Sequence, residues 1–104
     1  MNKIIEMNKK DFFDLNVLGI VRNYTQNDKE FINKQNDIVN KCEKINSYKL
    51  IDCIEVVGNI KKQTISKINK IISKNKISVI IFCYEDSMVD IMSEEFNLYV
   101  NQYE

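Results

Sequence analysis

The sequence predicts an α/β domain, with a small parallel-dominated sheet of about four strands and helices on both faces. Three observations predict it. Apolar, β-rich runs alternate with segments whose apolar residues recur at spacings of three and four. Ile77 to Cys83 (Ile-Ser-Val-Ile-Ile-Phe-Cys) is almost continuously apolar, which suits a central parallel strand covered on both sides. The order strand, helix, strand, helix, strand, helix, strand implies right-handed crossovers and a parallel sheet.

Each element has its own signal. Residues 1–16 form an N-terminal extension, in which Ile4, Ile5, Phe12, Phe13 and Leu15 suit an extra strand or helix covering a sheet edge. Residues 17–104 make up a single domain. Val17 to Val21 is a short apolar run and predicts a buried strand. Asn27 and Asp28 are good helix caps. After them Phe31, Ile32, Gln35, Ile38, Val39, Cys42 and Ile45 mark a helix burying one face. Leu50 to Val57 predicts a second strand, turned by Gly58 and Asn59. Ile65, Ile68, Ile71 and Ile72 give a second amphipathic helix with lysines on its outer face. Beyond the Ile77 to Cys83 strand, Asp86 or Ser87 can cap a short third helix with Met88, Ile91 and Met92 inward. Leu98-Tyr99-Val100 predicts a last, short strand.

Composition narrows the chemistry. With no histidine in 104 residues, imidazole acid/base catalysis and histidine-ligated metal are excluded. Cys42, Cys53 and Cys83 are odd in number and lack metal-like spacing, so they predict buried, reduced thiols and a cytoplasmic setting. No signal peptide, transmembrane span, cofactor or metal is predicted. The formal net charge is zero, so no global field draws the chain to nucleic acid or a membrane. The charge is nevertheless divided. Asn59 to Lys76 holds Lys61, Lys62, Lys67, Lys70, Lys74 and Lys76 and no acid. Tyr84 to Glu104 holds Glu85, Asp86, Asp90, Glu94, Glu95 and Glu104 and no base. Two solvated faces are one reading. A weak, sequence-blind nucleic-acid patch on Lys61, Lys62, Lys67, Lys70 and Lys74 is another, and head-to-tail self-association a third.

Arg22 is the only arginine, within Gly19-Ile20-Val21-Arg22-Asn23-Tyr24-Thr25. This Gly-x-x-Arg-x-x-Thr opening precedes a polar loop, a helix with Gln35 early in it, a strand ending near Gly58, a helix, and an apolar strand running into Tyr84-Glu85-Asp86-Ser87. From about Gly19 to Asp90 the pattern resembles the catalytic domain of serine recombinases (the resolvases and invertases). The resemblance implies a resolvase-like fold and a site where a serine attacks a DNA phosphate within an arginine clamp. It assigns Arg22, Tyr24 and Thr25 to that site, with Tyr24 at the serine position. The family's other arginines fall at Gln63 and near Asp86 and Val89. Phosphoryl transfer requires positioned cations around the reacting phosphate. The resemblance therefore implies a catalytically silent, resolvase-like domain acting through protein contacts, with itself or with a recombinase or other DNA-processing protein of a mobile element. The alternatives are an atypical or truncated strand-exchange enzyme and an unrelated flavodoxin-like ligand-binding module. The last has no glycine-rich phosphate loop in its favour.

Overall fold

The structure is a computed structural model that describes the backbone of residues 1–7 and 14–103 and the side chains of residues 1–7 and 14–99. Its elements are β1 (Asn2–Glu6), β2 (Leu15–Asn23), α1 (Asp28–Lys44), β3 (Tyr48–Val57), α2 (Lys62–Lys74), β4 (Val79–Tyr84), a 3₁₀ turn (Asp86–Met88) and α3 (Val89–Tyr103). The four strands form one sheet in the order β1-β4-β2-β3. β2 runs parallel to both β3 and β4, and β1 pairs antiparallel with β4. The fold is α/β with a mixed, mostly parallel sheet.

The two crossovers explain why helices lie on both faces. From β2 through α1 to β3 the chain steps one way across the sheet. From β3 through α2 to β4 it steps back past β2. Crossovers of one hand that travel in opposite directions land on opposite faces. Side-chain alternation then divides the core in two. Leu18, Ile20, Ile80 and Phe82 pack with Ile68 and Ile72 of α2 and Met92 and Tyr99 of α3. Val17, Val21, Val79 and Ile81 pack with Ile38 and Cys42 of α1. All six residues of β4 are buried, as a strand covered on both faces requires.

Local chemistry sets the helix ends and the tight spots. Asn27 caps α1, its Oδ1 accepting from the Glu30 N–H at 3.1 Å. Gly58 turns the chain after β3 at φ +70°, a conformation that favours glycine. A Cβ at Gly19 would lie 3.0 Å from Cys53 Sγ and 3.1 Å from Ile38 Cγ2, so glycine lets α1 sit close on the sheet.

The structure corrects several expectations. Leu98-Tyr99-Val100 is not a strand but part of α3. Met88, Met92, Glu95 and Tyr99 are all buried, so the inward helical period continues through Tyr99 and overrides local β propensity. The third helix is accordingly long, with 15 residues, and a 3₁₀ turn rather than a side-chain cap precedes it. The fourth strand is β1 instead, on the sheet edge beside β4. Phe12 and Phe13 lie outside the described residues. In α1, Lys34, Ile38 and Cys42 are buried and Phe31 packs against the core as expected, while Ile32 is 52% exposed.

Candidate functional site

Arg22 lies near the carboxyl end of β2, opposite Val56 of β3 and Tyr84 of β4. Alternation from Leu18 and Ile20 points its side chain to the face covered by α2 and α3. A guanidinium there must be matched or its desolvation is prohibitive. It is 1% exposed and bound on three sides. Nε donates to Glu95 Oε2 at 3.0 Å and Nη2 to Glu95 Oε1 at 2.6 Å, a two-pronged pair with the carboxylate. Nη1 donates to the Val56 carbonyl and Nη2 to the Gly58 carbonyl, each at 2.7 Å. Glu95 is itself 4% exposed. The pair thereby ties α3 to β2 and to the β3–α2 turn.

Tyr24 follows one residue after β2. It is 44% exposed. A strand end without a helix over it leaves the ring in solvent. Its hydroxyl donates to the Ser87 carbonyl at 3.0 Å, bridging the loops that follow β2 and β4. Those loops leave for opposite faces, α1 on one and α3 on the other. In an open α/β sheet the carboxyl end of such a strand pair is the usual ligand crevice. Here Tyr24 crosses it. Thr25 is exposed on the same loop. The remaining positions matched to family arginines are Gln63 in the first turn of α2, Asp86 in the 3₁₀ turn and Val89 at the start of α3, all exposed. Arg22, Tyr24 and Thr25 thus share one sheet end, but Arg22 points into the core while Tyr24 and Thr25 face solvent.

Glu95 is the site residue that the sequence reading missed. Its signal was present: it lies three residues after Met92 and four before Tyr99, on the inward stripe of α3. On the other face, Asn23 is 1% exposed and donates through Nδ2 to Glu55 Oε2 at 2.8 Å.

The thiols are set against nucleophilic work. Burial pushes all three up, Cys53 to about 11, with Asp52 adding to the effect there. They stay protonated near neutrality, and a thiol attacks as its thiolate. No group of cysteine, aspartate or glutamate among the described residues is arranged to hold a metal.

Lys61, Lys62, Lys67, Lys70 and Lys74 are all exposed. Lys61 is the N-cap residue of α2 and the other four lie within it. α2 contains no acid, and none of these lysines belongs to an ion pair found among the described residues. No helix among the described residues is long and apolar enough to cross a membrane. No protein-family profile, curated protein or solved structure matches the chain.

Proposed function

We propose that this chain is a catalytically silent α/β domain that works through protein contacts, with itself or with a DNA-processing protein such as a recombinase. One observation carries the reading: the sole guanidinium is already engaged by a buried carboxylate and two carbonyls. A phosphate would have to displace Glu95 from a desolvated pair to reach it. The positions that resemble the family's other arginines offer an amide, a carboxylate and an aliphatic side chain instead. Each missing transition-state donor costs on the order of 10²–10³ in rate. The Tyr24 hydroxyl spends its hydrogen bond on the Ser87 carbonyl and not on a cation that could steer it to a phosphorus atom.

Incubation with supercoiled DNA tests the reading. Wild type and Tyr24→Ser both yield no nicked DNA and no covalent adduct, with or without divalent metal. An adduct formed by wild type and abolished in Tyr24→Phe would replace this reading with a strand-exchange enzyme.

A further inference from the structure

We propose that the chain forms a two-fold symmetric homodimer in which the basic face of α2 packs against the acidic face of α3 of a second copy. The proposal rests on the protein-contact reading and names its partner. Its basis is where the fold puts the two halves of a divided charge. Ile68 and Ile72 turn α2 onto the sheet, which leaves Lys62, Lys67, Lys70 and Lys74 outward. Met92 and Tyr99 turn α3 onto the same face of the sheet, which leaves Asp90 and Glu94 outward, beside the exposed Val89 and Leu98. Beside α3, Asn59 and Ile60 of the β3–α2 turn and Ile91, Glu94, Glu95 and Leu98 line a shallow hollow of about 270 Å³.

Each stripe is unbalanced within its own chain. Lys67, Lys70 and Lys74 follow one another at spacings of three and four, where like charges repel. Lys61 and Lys62 add positive charge at the helix end that prefers acids. On α3, Asp90 and Glu94 stand four residues apart with no base in the helix to offset them. The chain as a whole carries no formal net charge, so two copies meet without long-range repulsion.

Geometry selects the symmetry. Complementary patches on opposite faces would add copies head to tail and make an open filament. Here both helices cover one face, so a two-fold axis between them lays each α2 on the partner's α3 and closes the assembly. Val89 and Leu98, which flank Asp90 and Glu94 along α3, then lose their exposure on either side of the charges. Exposed ion pairs are individually weak and screened, so the dimer is of modest affinity and salt-sensitive.

Sedimentation equilibrium over a concentration series tests this, with circular dichroism confirming the fold of each variant. Wild type dimerises, and its dissociation constant rises roughly tenfold or more from about 0.05 M to about 0.5 M salt. The variant Lys67→Glu/Lys70→Glu/Lys74→Glu is monomeric alone, as is Asp90→Lys/Glu94→Lys. Mixed, these two form a heterodimer, because both of its contacts are again opposite in sign. A single chain carrying all five changes dimerises with itself. A wild-type monomer at all salts, a salt-indifferent dimer paired through the free edge of β3, or a lysine variant whose lost dimer the acid-face variant does not rescue would each overturn the proposal. None of these results touches the DNA-nicking test, so the dimer can fail while the silent-domain reading stands.

Discussion

Replacing Glu95 with alanine isolates the buried pair that ties α3 to the sheet. Arg22 is 1% exposed and its partner carboxylate 4% exposed, so the truncation leaves a cation in the core with two of its four hydrogen bonds. Removing one member of a buried ion pair costs about 3–5 kcal/mol, mostly from the charge left behind. Against a domain stability of about 5–15 kcal/mol, that is a large fraction of the whole. At about 4–8 °C per kcal/mol for a chain near this size, the melting temperature falls by roughly 12–40 °C. Glu95→Gln keeps the shape and one acceptor oxygen, and falls between wild type and alanine. Arg22→Met/Glu95→Leu removes both charges at once. It leaves the Val56 and Gly58 carbonyls without their donor, at about 1–3 kcal/mol each. Its loss is nevertheless smaller than the two single losses added, with a coupling of at least ~1.5 kcal/mol. Urea denaturation followed by circular dichroism measures wild type, these three variants, and the single changes Arg22→Met and Glu95→Leu that complete the cycle. A Glu95→Ala loss below about 1 kcal/mol, or strictly additive single changes, would refute the account of the pair as a buried, mutually dependent unit.

Two further outcomes follow from the core and its thiols. Ile80→Asp puts an unpaired carboxylate at a position of zero exposure in the most buried strand and abolishes folding; a soluble, cooperatively melting Ile80→Asp protein would show that β4 is misplaced. Stability falls as pH rises from about 9 to about 11, because Cys53 ionises near 9.0 in the unfolded chain and only at about 11 in the fold. Over that window the unfolded state binds fewer protons than the native one, so alkali favours unfolding. Urea midpoints across the range show this, and Cys53→Ala shows a shallower decline than wild type.

Much of the fold was legible because burial imposes periods. β4 is covered on both faces, so its apolar run is nearly unbroken. α1 and α2 carry their inward stripes at three- and four-residue spacing, and Asn27 announces the start of α1. β1 was harder to read. Ile4 and Ile5 are its only apolar residues, since an edge strand buries little and its position is set by pairing with β4. Leu98 to Val100 misleads because β-prone residues sit on a helix whose inward stripe runs past Met92 to Tyr99. At the site, Arg22 was found as the sole arginine, but its destination depended on alternation from Leu18 and Ile20 into a layer occupied by α3. Glu95 was hidden in plain acidic company beside Glu94. Only extension of the Met88 and Met92 spacing separates the inward carboxylate from the outward one.

The strand order β1-β4-β2-β3 also governs when this domain can exist during synthesis. β4, which pairs with both β1 and β2, is the last of these four strands to leave the ribosome. Until Tyr84 has emerged, β1 has no neighbour, β2 presents a bare backbone edge, and the isoleucines of α2 have only part of a sheet to cover. Exposed edges and uncovered apolar stripes are what draw nascent chains into aggregates and chaperones. A chain cut before β4 therefore retains β2-α1-β3 without its keystone. The pairings that close the sheet join distant parts of the sequence, which is the kind of contact that slows folding.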